Sequence, residues 1–173
     1  MKKIILASIL MLGLITVNAQ NVTLNVNLRP IQTLVVNNAQ KIVNLDYATQ
    51  DDYKNGVSST NTDHLNIYST GGFQVKVKSA NATMQNGGKH IDANTIQVKA
   101  TAGSDAVNDA QYSQNVQLSN NETTLVTSTR GGVDKKISIE YKGAGANAYI
   151  DNYIAGQNPT VYTTELTYTI VSQ

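Results

Sequence analysis

The stretch covering residues 161–171, V-Y-T-T-E-L-T-Y-T-I-V, constrains this chain more than any other. Tyr162, Thr164, Leu166, Tyr168 and Ile170 share one side of an extended backbone, with Thr163, Glu165, Thr167 and Thr169 on the other. Such period-2 alternation predicts a strand with an apolar face and a threonine-rich wet face. Threonine and tyrosine both suit a half-buried pleat. At roughly 3.4 Å per residue, a segment of this length crosses a whole β-sandwich.

The same alternation recurs along the chain. Val22, Leu24, Val26 and Leu28 alternate with Thr23, Asn25 and Asn27, which predicts a first strand. Pro30 interrupts it, because proline has no donor for a central ladder. Residues 31–36 and 42–47 read as two further strands, and 51–62 as a polar loop turning at Asn55-Gly56. Leu65, Ile67 and Ser69, then Phe73, Val75 and Val77, flank Thr70-Gly71-Gly72, which predicts a hairpin with Gln74, Lys76 and Lys78 outward. Strands are expected at 95–100, 116–118, 123–128 and 136–141, with loops at Asn86-Gly87-Gly88 and 143–160. Ser104 is placed to cap one helical turn through Ala106 and Val107. Nine or ten short strands between turns describe an all-β fold, an immunoglobulin-like or Greek-key β-sandwich. No helical pattern is long enough to cover a parallel sheet.

The first residues set the compartment. Met1-Lys2-Lys3, an apolar run over 4–17 and Val17-Asn18-Ala19 have the order of a secretory signal peptide, with cleavage between Ala19 and Gln20. The run is short for a bilayer span of about 20 residues. The reading is therefore a leader over 1–19 and one domain over 20–173, with no integral membrane segment after cleavage. Export places it in the periplasm, the outer membrane or the cell surface of a bacterium. Loss of Lys2 and Lys3 changes the formal charge from +1 to −1, which argues against nucleic acid, whose partners cluster cations. The chain has no cysteine, so stability rests on sheet and core without disulfides.

No stretch proposes a reaction. Gly143-Ala144-Gly145-Ala146-Asn147-Ala148 satisfies a loose G-x-G-x-x-A, but Gly156 and Pro159 leave no room for the helix a dinucleotide site needs. His64 and His90 have neither a second histidine at ligand spacing nor a cysteine pair, so no zinc site is expected. Asp51-Asp52 and Asp105/Asp109 match no calcium-loop spacing. Lys76, Lys78 and Lys99 form a candidate cationic strip on an outer face. Tyr149, Asp151, Asn152 and Tyr153 combine aromatic faces with planar polar groups, the chemistry that grips sugars, and are the candidate glycan contact. The expected protein is non-enzymatic, with no cofactor and no metal.

The hairpin L-N-I-Y-S-T-G-G-F-Q-V, followed much later by Y-T-T-E-L-T-Y-T-I, resembles bacterial WxL-type surface domains. The matching positions are Phe73-Gln74-Val75 and Tyr168-Thr169-Ile170, with Phe73 and Tyr168 standing where that pattern has tryptophan. The layout is also similar to fimbrial and spore-coat-U-type pilin subunits. The first resemblance implies a structural or adhesive envelope protein that binds peptidoglycan or another cell-wall glycan. The second implies partners among envelope proteins, or a homopolymer in which Val22, Leu24, Val26 and Leu28 are lent to a neighbour as a strand. Because this segment leads directly into the domain, the residues themselves favour it as the domain's own first strand.

Overall fold

A computed structural model describes residues 20–173; the expected leader, including Ala19 of its junction with Gln20, lies outside the described residues. The elements are β1 (Gln32–Val36), α1 (Gln50–Asn55), β2 (Ser58–Ser69), β3 (Phe73–Ser79), β4 (Thr83–Asn86) and β5 (Lys89–Asp92). They continue with β6 (Gln97–Ala102), β7 (Gln111–Tyr112), β8 (Val116–Gln117), β9 (Thr123–Ser128), β10 (Gly132–Lys142) and β11 (Leu166–Ser172). One sheet runs β1-β2-β10-β6-β8 and the other β11-β3-β9-β7, all antiparallel, with β4-β5 as a separate hairpin. Leu65, Ile67, Val98, Ile137 and Ile139 of the first sheet pack on Phe73, Val75, Val77, Leu125 and Val126 of the second. The protein is an all-β sandwich, with eleven strands where nine or ten were expected.

The expected hairpin around Gly71-Gly72 is not one. β2 and β3 belong to different sheets, and the turn carries the chain from one to the other. β3 buries one full face and β2 does so from Leu65 to Ser69, and two such faces meet better across a core than side by side in one layer. Gly131 presses on this turn: a side chain there would strike the Ser69 carbonyl oxygen and Gly71 N. Three buried serines at strand ends are satisfied the same way. Ser69, Ser79 and Ser128 donate to the carbonyls of Gly71, Asn81 and Arg130 at 2.7, 2.7 and 2.9 Å, so each buried hydroxyl has a partner and each turn a brace.

Other segments also depart from the pattern. The 51–62 stretch is not a loop but α1 and the start of β2. Thr49 and Asp52 form a capping box there, bonding each other's backbone N–H. The Gly143–Ala148 run closes the other end of α1: Ala146 N donates to the Lys54 carbonyl at 2.7 Å and Asn147 N to that of Tyr53 at 2.8 Å. Ser104 caps no helical turn; its backbone N and Oγ bond the Asp63 carboxylate at 2.8 and 2.6 Å. Residues 22–28 and 42–47 belong to no sheet. Alternation reports which side of an extended backbone is apolar, not whether a neighbouring strand is present to complete the ladder.

Candidate functional site

The sandwich has two ends. At the tail end lie Ile31, the Gly71-Gly72 turn, Gly132 and the last residue of β11, Ser172, which pairs with Phe73. At the other end lie Ser58, Lys142 and Ser79. β1 and β11 close one side of the sandwich at the tail end, where Ser172 Oγ meets Gln32 Oε1 at 3.4 Å. Toward the other end, the continuation of β1 over 41–47 and the approach to β11 over 161–165 part. Between them is a groove of about 1230 Å³ that reaches Ile96, Leu118 and Tyr141.

Each rim is an extended segment of alternating exposure. Val43, Leu45 and Tyr47 on one, and Tyr162, Thr164 and Leu166 on the other, are half-buried, while Asn44, Asp46, Thr163 and Glu165 are exposed. Among the described residues, the backbone of 42–47 makes no hydrogen bond, and no backbone N–H of 161–165 has a protein partner, although the Glu165 carbonyl accepts from Ala80 N at 2.8 Å. Thr164 Oγ1 is buried with no partner. The 161–165 rim is held from outside: Asn86 Nδ2 donates to the Val161 carbonyl at 3.0 Å and to Gln157 Oε1 at 3.0 Å. At the open mouth, Tyr47 stacks edge-on with Tyr149, ring centroids 5.1 Å apart, and tilts against Tyr53 at 5.3 Å. Burial and the neighbouring Tyr149 push the Tyr47 phenol up to about 12, so it stays protonated and donates to the Ala144 carbonyl at 2.8 Å.

The inner end of the groove is polar. Gln40 Nε2 donates to the Thr62 carbonyl at 3.0 Å, which leaves Gln40 Oε1 to accept from His64 Nδ1 at 3.0 Å. His64 Nε2 then accepts from the Tyr141 hydroxyl at 2.9 Å, and Tyr141 is bonded in turn to the Tyr168 hydroxyl. Burial pushes Tyr141 up to about 12 and Tyr168 in the same direction. His64, 2% exposed, is held below its ordinary 6.5 by burial. A buried imidazole kept neutral is destabilising to protonate. Because the folded pKa lies below the unfolded one, the contribution of His64 is complete above about pH 6.5 and lost as pH falls toward its folded value. Thermal melting should therefore weaken between about pH 7 and pH 5, and His64→Gln should flatten that slope. A midpoint that rises on acidification in this window would contradict the neutral assignment.

His64 reaches the interior through a bulge. β2 pairs Leu65 with Ile137 but Asn61 with Ile139, and Asp63 takes a left-handed φ of 53°. The Ser104 hydroxyl and backbone hold the Asp63 carboxyl below the usual carboxylate range. The extra residues turn both His64 and Leu65 inward, which strict alternation does not allow.

The other expected positions are dispersed or structural. Val22, Leu24, Val26 and Leu28 are 90, 85, 76 and 88% exposed. Phe73 and Val75 are fully buried, and Ile170, partly buried, pairs with Val75 on the adjacent strand. Tyr149 is buried against Thr95 Oγ1 at 2.7 Å, Asn152 bonds the His90 carbonyl at 2.7 Å, and Tyr153 and Asp151 are exposed; Tyr149, Asn152 and Tyr153 line the mouth of the groove, and Asp151 does not. Lys76 and Lys78 lie on β3 and Lys99 on β6, in opposite sheets, so they form no single strip. Asp105 and Asp109 lie beside Lys135 and Arg130 at 2.6 and 3.7 Å. Among the described residues no group of three His, Cys, Asp or Glu gathers to hold a metal, and no helix is long and apolar enough to cross a membrane. Comparison with protein-family models and with curated proteins finds no match to this chain.

Proposed function

We propose that this protein is a non-enzymatic structural subunit of the bacterial envelope, which assembles with copies of itself by lending residues 22–28 as a strand to a neighbour's groove. One observation carries this reading. An open-sided sandwich whose two rims leave most of their backbone N–H groups without protein partners and an exposed tail of matching length and alternation occur in the same chain. Unpaired backbone flanking an apolar cleft is a standing invitation to a strand. Seven extended residues span roughly 20 Å, as does the 41–47 rim. Burying each of Val22, Leu24, Val26 and Leu28 is worth about 1.5–3 kcal/mol, and those side chains are otherwise left in water. Thr23, Asn25 and Asn27 then face outward, as Thr163 and Glu165 do.

The test is the size distribution of purified residues 20–173. Ladders that survive SDS without heating, or fibres by electron microscopy, are expected, and both should disappear when residues 20–28 are deleted. A clean monomer from the intact chain at every concentration would reject the reading.

A further inference from the structure

Two Asn-Gly pairs occur in the sequence, Asn55-Gly56 and Asn86-Gly87, and the fold treats them in opposite ways. We propose that Asn86 is a site of spontaneous deamidation, and that its conversion to an acid frees the mouth end of the 161–165 rim. The reaction needs no partner but water. The Gly87 backbone N attacks Asn86 Cγ, the Cγ–Nδ2 bond breaks, and ammonia leaves with the proton that Gly87 N gives up. Water then opens the cyclic imide on either side of its nitrogen, to aspartate or to isoaspartate. One water is consumed and one ammonia released. The chain gains a negative charge at neutral pH, because a free carboxyl titrates near about 4.

The attacking nitrogen must be free. Gly56 N is not: it donates to the Asp52 carbonyl at 2.8 Å as the cap of α1. A side chain on Gly56 would also strike the Gly143 carbonyl oxygen, so the 55–56 linkage has little room to rearrange. Gly87 and Gly88 form instead the exposed two-residue turn between β4 and β5, with left-handed φ of 54° and 84°, the twist that suits such hairpins. Among the described residues Gly87 N has no hydrogen-bond partner, and glycine sets no side chain beside the attacking atom.

What the Asn86 amide holds decides what its loss does. Nδ2 donates to the Val161 carbonyl and to Gln157 Oε1, both at 3.0 Å, and Oδ1 accepts from Gln157 Nε2 at 3.3 Å. A carboxylate has no proton to donate. The bond from Gln157 Nε2 can persist. The Val161 carbonyl and Gln157 Oε1, however, then face a negative charge where each had a donor. From Val161 to Thr164, the Tyr162 hydroxyl on the Asn152 carbonyl at 2.6 Å is the hydrogen bond that remains, while Glu165 stays anchored by Ala80 N. The rim therefore pivots about its inner end and opens at the mouth. Isoaspartate adds a backbone carbon to the tight turn and disturbs it further. The same contacts set the rate. While Gln157 and Val161 hold the amide, the Asn86 side chain is not free to turn onto Gly87 N, so attack waits for that amide pair to part.

The test follows purified residues 20–173, folded, in mildly alkaline buffer, with peptides mapped by mass spectrometry over time. Aspartate and isoaspartate should accumulate at Asn86 and not at Asn55, whereas in denaturant the two sites should convert alike. Equal conversion at both sites in the folded protein, or none at Asn86, would overturn the assignment. Gln157→Ala should shorten the half-life of Asn86 several-fold; an unchanged half-life would overturn the control of the rate by that amide pair. The rim is read by chymotrypsin, which cuts after the half-buried Tyr162. Cleavage there should rise several-fold in Asn86→Asp and in the aged, charge-shifted fraction separated by ion exchange. The aged fraction gives the answer alone if Asn86→Asp does not fold. Resistance equal to that of the fresh protein would overturn release of the rim and leave the deamidation site standing.

Discussion

Mixed in equal amounts, a chain carrying Val26→Lys and a chain carrying Thr164→Arg are expected to form a one-to-one dimer and nothing longer, because the like charges of the altered tail and the altered groove repel. The first keeps a usable groove but has a tail that would bury an ammonium. The second keeps a usable tail but has a groove filled by a guanidinium where a partnerless hydroxyl now sits. Burying an unpaired charge costs several kcal/mol even after relaxation, against about 1.5–3 kcal/mol from each tail side chain, so either change alone should abolish self-assembly. Val26 is 76% exposed, so its substitution leaves the folded body untouched. Light scattering of each chain alone and of the mixture decides the matter. Long polymers from either chain alone would show that the tail and the groove are not the complementary parts.

Phe73→Ala is expected to cost about 3–5 kcal/mol, a large fraction of the stability of an ordinary domain. Phe73 is the only phenylalanine of the chain and the largest of its fully buried side chains. It stands at the first residue of β3, between Ser172 of β11 and Ser128 of β9, so its removal leaves a void where three strands meet. Denaturant unfolding of residues 29–173, which lack the tail, gives the measurement. A loss below about 1 kcal/mol would mean that the surrounding chain collapses into the space, as well-adapted cores seldom can.

Alternation led to the all-β sandwich that the structure shows. Alternation at Phe73, Val75 and Val77 correctly placed one buried face, and the same signal at Leu65 and Ile67 placed another. It was silent on whether those faces lie in one sheet or oppose each other across the core. That depends on which edges find partners, a matter of contacts remote in sequence. The run at 22–28 has the most regular alternation of all and is the least buried part of the described chain.

The residues of the groove's polar floor were legible only as chemistry. His64 reads as an outward position beside Leu65, since adjacent residues of a strand face opposite ways. The bulge at Asp63, braced by Ser104 from a distant loop, reverses that. A second irregularity, between Val75 and Lys76 of β3 and their partners on β9, likewise turns both Leu125 and Val126 inward. Local sequence determined the extended segments, their apolar sides and the glycine-marked turns, because steric and solvation preferences act within a few residues. Only the tertiary structure decided which segments pair, where the ladder breaks and that one side of the sandwich stays open. Hydrogen-bond partners and core neighbours are drawn from the whole chain at once.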